Sequence, residues 1–258
     1  MTTQDGFGKT HGEIVGGGSA LQSYRRLIVG SDSIWALIYF EFCRLLAPFP
    51  GALGLVLRKL FWPRLFAECG KGVVFGSNIS LMCPGKMTLG RKVVFGDNCI
   101  LDARSETATT CLAIGDHAML SHAVMISCKN GEVSIGARCG LGAYTVIQST
   151  GAPEAPNAVR IGSDTVIGVR CYIAGGGNYN TERLDIPIAR QGVRDMGGTS
   201  IGTGVWLGAS ASVLGGVEIG DDAIVGAGAV VTRSLPARSK SVGVPAQVQG
   251  YREGAQAE

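Results

Sequence analysis

Residues 201–231 read IGTGVWLGASASVLGGVEIGDDAIVGAGAVV, and within them Ile201, Leu207, Val213, Ile219, Val225 and Val231 recur at strict six-residue spacing. Helices repeat near 3.6 residues and ordinary strands alternate with period two, so neither accounts for a phase of six. The same phase returns upstream in triplets: Leu89, Phe95 and Leu101; Ile114, Leu120 and Ile126; Ile135, Leu141 and Ile147; Ile161, Ile167 and Ile173. Phe75 and Leu81 make a partial set before them. Three short strands joined by three turns close one triangular coil, so each triplet predicts one coil of a solenoid. The aliphatic residue of each hexad points inward and stacks on its counterpart one coil away.

Most of these key residues are followed by glycine, among them Gly90, Gly115, Gly136, Gly162, Gly202 and Gly220. The chain holds 40 glycines in 258 residues, about twice the usual share of about 7%. The hexads absorb most of the excess. Four residues after the key position comes a small or β-branched residue, as at Cys99, Ala118, Cys139, Thr145, Cys171 and Val205. Three of the eight cysteines fall in that slot and none forms a C-x-x-C pair, which predicts buried reduced thiols rather than a disulfide framework.

Composition narrows the classes. A hydrophobic share of 46% excludes general disorder, and nine prolines without a G-X-Y period exclude collagen. A net charge of +3 with no pronounced basic run argues against a nucleic-acid partner. The start, MTTQDGFGKTHGEIVGGGSA, lacks the charged-then-apolar pattern of a secretory signal, so a cytoplasmic protein is expected.

Residues 69 to 233 resemble the hexapeptide-repeat acyltransferases, whose fold is an all-β solenoid, the left-handed parallel β-helix; the handedness comes from this resemblance. The stretch GTSIGTGVWLGASASVLGGVEIGDDAIVGAGAVVTRSLPARSKSVGVPAQVQG, residues 198–250, is similar to the C-terminal signature of O-acetyltransferases that modify sugars and surface polysaccharides. The resemblance implies a homotrimer with acyl-CoA, most simply acetyl-CoA, held between adjacent subunits. It implies a CoA-dependent O-acyltransferase acting on a sugar hydroxyl in polysaccharide or glycolipid biosynthesis. Small residues on successive coils, Gly208 and Ala209, then Gly226, Ala227 and Gly228, let a thin ligand lie against the backbone. In the relatives, Trp206 and the residues around Thr232 and Arg233 line this path, and Arg233 or Lys240 can meet the nucleotide phosphates.

Between Ile173 and Ile201 the repeat breaks for the excursion AGGGNYNTERLDIPIARQGVRDMGGTS, residues 174–200. Long insertions in a solenoid are seldom idle. In the polysaccharide O-acetyltransferases that this chain resembles, the loop carries the catalytic histidine, and that position is Asn178 here. An amide does not take up a proton near neutral pH. Glu182 and Asp185 in the same loop are candidate bases if burial raises their pKa. His122, two residues after the key Leu120, is another, because acyl-carrier-protein-dependent relatives keep their catalytic histidine in that slot. The alternative is a catalytically silent subunit that binds acyl-CoA or a glycan. His117 and His122 resemble the spaced pair of the metal-dependent carbonic anhydrases of this fold. The pair is one residue out of that family's phase, and the remaining histidine, His11, lies in the tail, so no metal is expected.

The chain divides into a flexible polar, glycine-rich tail over 1–31, an apolar helical segment over 32–68, the β-helix over 69–233 and an extension over 234–258. The run from Ile34 to Phe49 suits a helix ended by Pro48 and Pro50, and a second helix is expected over Leu53 to Phe61. Glu41 and Arg44 interrupt the first run, leaving it well short of the roughly 20 apolar residues needed to span a bilayer. Arg25, Arg26, Arg44, Arg58, Lys59 and Arg64 flank its apolar faces, a composition suited to lying on an anionic membrane. The same helices are equally expected to cap the open end of the coil stack. Membrane contact at the inner face would suit a lipid-linked glycan acceptor.

Overall fold

A computed structural model describes residues 19–105, 110–150 and 157–254. Three sheets form the faces of a triangular prism. Face one has seven strands, from Glu68–Cys69 to Glu218–Ile219, and face three has seven, from Ser80–Met82 to Val230–Val231. Face two has nine, starting at Val74–Phe75, and its last strand, Gln247–Tyr251, turns back antiparallel on Ser239–Val242. Pairing along all three prism faces is otherwise parallel and in register. On face one Leu89 sits opposite Ile114, Ile114 opposite Ile135, Ile135 opposite Ile161 and Ile161 opposite Ile201. This is the left-handed parallel β-helix of hexapeptide repeats that the sixfold phase and the resemblance predict. Every key residue is buried, so the core is one continuous apolar column, aliphatic but for Phe75 and Phe95.

Each position of the hexad has a physical task. A Cβ added at Gly90 would stand 2.5 Å from the Asp116 backbone nitrogen, and one at Gly208 2.5 Å from that of Ala227. The glycine after the key residue is therefore required because consecutive coils touch there. The left-handed backbone of the turn falls two residues later and is mostly filled by other residues, including Asn98 (φ 61°), Ala123 (φ 55°) and Arg170 (φ 58°).

The small residue that follows is often a donor. Cys99 Sγ donates to the Ser121 carbonyl at 3.2 Å, Cys139 Sγ to Gly162 at 3.1 Å and Cys171 Sγ to Gly208 at 3.2 Å. Thr145 and Thr165 Oγ1 make the same bond to Gly168 and Gly202, each at 2.9 Å. Cysteine and threonine thus cap a carbonyl that the sheet leaves free, which alanine in that slot does not.

The helical segment closes the first coil. It comprises α1 (Ala20–Tyr24), a π-helical turn (Arg25–Val29), α2 (Ile34–Leu45), α3 (Gly51–Phe61) and a 3₁₀ turn (Trp62–Leu65). Residues 20–29 are thus helical where the sequence reading placed tail; the tail before Ser19, with His11, lies outside the described residues. Ser33 caps α2 by accepting the Ala36 N–H at 3.4 Å. The helix stops four residues before Phe49, since Pro48 and Pro50 cannot supply the N–H groups that would continue it.

Trp62 packs on Phe75 with ring centroids 5.3 Å apart, and Phe66, Phe75 and Phe95 stack at 5.6 Å intervals into the coil. Arg58, expected among the outward basic residues, is instead 1% exposed. Its guanidinium donates to the carbonyls of Leu46, Ala47, Phe49 and Phe75 at 2.8–3.2 Å. It pins the linker between α2 and α3 to the first coil.

At the other end the hexad phase resumes beyond Arg233. Leu235 bridges Ile219, and Ser241, six residues on, lies opposite Val225. A partial eighth coil thus stands within the expected C-terminal extension.

Candidate functional site

Trp206, Ile224 and Lys240 are cross-strand neighbours on face two of the last coils. Their side chains follow one another along the outer surface, and Trp206 is 53% exposed. Beside this column, at the edge between faces two and three, Gly208–Ala209 lies under Gly226–Ala227–Gly228. Ala209, Ala227 and Gly228 are exposed there. The Gly228 N–H donates to the Ala209 carbonyl at 2.8 Å, which locks the two small-residue turns together. Thr232 and Arg233 lie one edge further on, between faces three and one, with the strand Val230–Val231 in between. Within one chain the structure brings together Trp206, Ala209, Ala227 and Lys240 and leaves Thr232 and Arg233 on the neighbouring edge.

The same edge is distinguished by an unbroken run of amides without side-chain caps. The turn residue two places after each key position directs its backbone N–H toward the next coil, where a side chain in the same slot can accept it. Asp97 Oδ1 accepts the Ser77 N–H at 2.7 Å, and His122 Nδ1 accepts the Asp97 N–H at 3.1 Å. On the edge between faces one and two, Asp116, Ser163 and Asp221 cap Arg91, Ala137 and Thr203 in the same way. Above His122 the slot holds Ala143, Val169, Ala209 and Ala227. None of these side chains carries an acceptor, so four consecutive rungs lack side-chain caps. The sequence reading missed Ala143 and Val169; the slot phase, followed down the edge from Ala209, is the signal that finds them.

The excursion leaves the edge between faces three and one. Gly176, at φ 129°, packs where a Cβ would stand 2.2 Å from the Thr150 carbonyl oxygen, which accounts for a glycine that no hexad explains. Asn178–Tyr179 then pairs antiparallel with Val193–Arg194, Asn178 opposite Arg194. Asn180 and Gln191 brace the ribbon: Asn180 Nδ2 donates to the Gln191 carbonyl at 3.0 Å, and Gln191 Oε1 accepts the Arg183 N–H at 3.0 Å.

The expected bases change standing in this setting. Glu182 and Asp185 are both exposed, so neither sits in the buried setting that a raised carboxyl base would need. Arg183 pairs with Asp185 and holds its carboxyl below the usual range. His122 lies two coils from the loop and on a different edge, with its side chain 66% exposed and Nδ1 engaged as a backbone cap. His117 lies on yet another edge of that coil. Among the described residues no three His, Cys, Asp or Glu side chains form a metal-binding group. A cavity of about 540 Å³ lined by Tyr24, Phe40, Trp62 and Leu81, among others, lies at the opposite, helical end of the solenoid.

Comparison with known proteins agrees with this geometry. A family model described as bacterial transferase hexapeptide (six repeats) matches residues 198–233, the coils carrying Trp206, Ala209 and Ala227. A Staphylococcus aureus (strain MRSA252) protein, provisionally named an acetyltransferase, is 30% identical over 106 residues, covering 35% of this chain and 53% of its own. An Escherichia coli (strain K12) protein, WbbJ, provisionally named an O-acetyl transferase of lipopolysaccharide biosynthesis, is 33% identical over 96 residues, 35% of this chain and 49% of its own. The chain thus spans about half the length of these curated relatives. Among solved structures, a mutant of AntD, an N-acyltransferase from Bacillus cereus in complex with dTDP and coenzyme A, shares the fold. Its TM-score is 0.51 at 22% identity, over 80% of this chain and 91% of that one.

Proposed function

We propose that this chain, whose residues 198–233 match a bacterial transferase hexapeptide model, transfers an acyl group, acetyl in the simplest case, from CoA to a hydroxyl of a sugar. The observation that carries the reading is the uncapped edge. Pantetheine is thin and has two amide carbonyls, which suit an edge of small residues whose N–H groups lack side-chain partners. Trp206 flanks that edge on one side, and Lys240, in the same column, is placed to meet phosphate oxygens. The acceptor hydroxyl attacks the thioester carbonyl, an ester C–O bond forms as the C–S bond breaks, and the hydroxyl proton ends on the CoA thiol. The closeness in sequence to a protein named for O-acetyl transfer supports oxygen as the acceptor.

The assembly we propose is a homotrimer. Large outward side chains on face two, Val94, Met119, Val166 and Trp206, are exposed and apolar, and on face three Ile100, Met125, Val146 and Tyr172 run in one column. Face one presents Glu68, Thr88, Ser134, Arg160 and Glu218 instead. Two apolar faces and one polar face suit burial of the first two between copies. Packing around a threefold axis would let Arg233 and the 174–200 loop of one subunit approach the uncapped edge of the next.

Glu182 and Asp195 are the loop carboxylates without an arginine partner among the described residues; Asp195 accepts the Gly197 N–H, and we assign Glu182 the proton from the acceptor hydroxyl. The second reading, a silent binding subunit, draws support from Asn178 and from the exposure of Glu182 and Asp185. Calorimetry with CoA, followed by mass spectrometry of sugar acceptors incubated with acetyl-CoA, separates the two. Transfer is expected to occur, to fall at least tenfold in Glu182→Gln, and to be lost with CoA binding in Ala227→Glu. CoA binding without any mass gain would leave the silent subunit, and no CoA binding would end the transferase reading and leave only a subunit that binds glycan. Asn178→His adds a check: a large gain in transfer marks a degenerate site, and a loss gives Asn178 a task of its own.

A further inference from the structure

The helices that cap the first coil use only one side to do so. Leu37, Phe40 and Cys43 of α2 turn inward onto the cap. The opposite stripes remain bare: Trp35, Ile38 and Leu45 on α2, and Leu53, Val56 and Leu60 on α3. Trp35 is 76% exposed, Leu45 70% and Leu60 65%. Phe42 of α2 meets Phe61 of α3 edge-on at 5.1 Å, so the two helices are joined on this side of the cap. Capping the solenoid therefore does not account for this surface, which is larger in apolar content than a water-facing helix pair needs.

Its charges point to one kind of occupant. From Ile34 to Phe66 the exposed ionic residues are Arg44, Lys59 and Arg64, all cations. Glu41, the one acid in that span, is half-buried and accepts the Tyr24 hydroxyl. No helix among the described residues is long and apolar enough to cross a membrane. Two short helices with bare aliphatic and tryptophan stripes, whose exposed ionic residues between the flanking acids Asp32 and Glu68 are all cations, fit the interface of an anionic bilayer. We propose that α2 and α3 seat the protein on an anionic membrane surface, with Trp35, Leu45 and Leu60 entering the headgroup boundary and Lys59 and Arg64 meeting lipid phosphates.

The test is co-sedimentation of the full chain with phosphatidylcholine vesicles, with and without about one third phosphatidylglycerol. Binding is expected to the anionic vesicles, to weaken with salt and to be much poorer on phosphatidylcholine alone. The triple variant Trp35→Ser, Leu45→Ser, Leu60→Ser is expected to lose at least tenfold in partitioning at unchanged circular dichroism. Lys59→Glu with Arg64→Glu keeps the apolar stripe and is expected to lose only the preference for anionic lipid. Absence of wild-type binding to either vesicle overturns the proposal. So does a triple variant that still partitions, or one whose main effect is a change in oligomer mass, because the face then belongs to another copy of the chain.

Discussion

His122 Nδ1 accepts the backbone N–H of Asp97 at 3.1 Å, and Asp97 Oδ1 accepts that of Ser77 at 2.7 Å, so the histidine is the last rung of a ladder along one edge. A side chain used in this way stabilises a turn. His122→Ala is expected to cost about 0.5–1 kcal/mol, since water can reach the freed amide. His122→Asp, whose carboxylate can accept the same N–H, should recover most of it. Urea titration measures the first effect, and acyl transfer in the same variants should change less than twofold. Loss of transfer at unchanged stability would return His122 to the list of candidate bases.

Gly208 and Gly85 separate the two uses of glycine. At Gly208 a Cβ would meet the Ala227 backbone 2.5 Å away, whereas at Gly85 nothing lies within 4 Å. Gly208→Ala must push two coils apart and is expected to cost about 1–3 kcal/mol, with CoA affinity falling as the edge distorts. Gly85→Ala should be neutral within about 0.5 kcal/mol. Equal melting temperatures for the two variants would refute close coil contact as the reason for the glycine.

The sixfold phase made the coils legible because every inward side chain of a solenoid faces the same environment, so Leu89, Ile114, Ile135 and Ile161 obey one rule. The capping slots were not legible, because Asp97, His122 and Ser163 share a role but not a chemistry; only geometry shows all three accepting an amide. Arg58 misled for a related reason. An arginine in a basic, leucine-rich segment reads as surface, and its four backbone carbonyl partners come from Leu46, Ala47, Phe49 and Phe75, which no local pattern connects. The small residues of the uncapped edge were visible by residue type, while a base was not, since the position that holds the histidine in the family this chain resembles carries Asn178.

Arg58 has no carboxylate partner in its bonds, and burial pushes its pKa down, yet a guanidinium remains charged. Arg58→Met would leave the four carbonyls without their donor and is expected to cost about 3 kcal/mol or more. Arg58→Lys, with a single donor head, should recover only part. The loss should appear in hydrogen exchange first at α2, α3 and the first coil, with the coils around Trp206 protected as before. A uniform loss of protection along the solenoid would mean that the cap and the coils unfold as one unit.

Burial raises the thiols of Cys43, Cys69 and Cys83 to about 11. An unfolded thiol titrates near about 8.5, so the folded state holds these protons more tightly. The stability they contribute is complete below about pH 8.5 and is lost as pH rises toward the folded value. Urea midpoints should therefore fall between about pH 9 and 11, and Cys43→Ala should reduce that slope. At about pH 8 a thiol reagent should label Cys43 and Cys83 slowly in native protein and all eight cysteines at once in denaturant. Rapid native labelling of Cys43, whose carbonyl accepts the Trp62 Nε1–H at 3.0 Å, would show that this contact between α2 and Trp62 opens far more often than its burial implies.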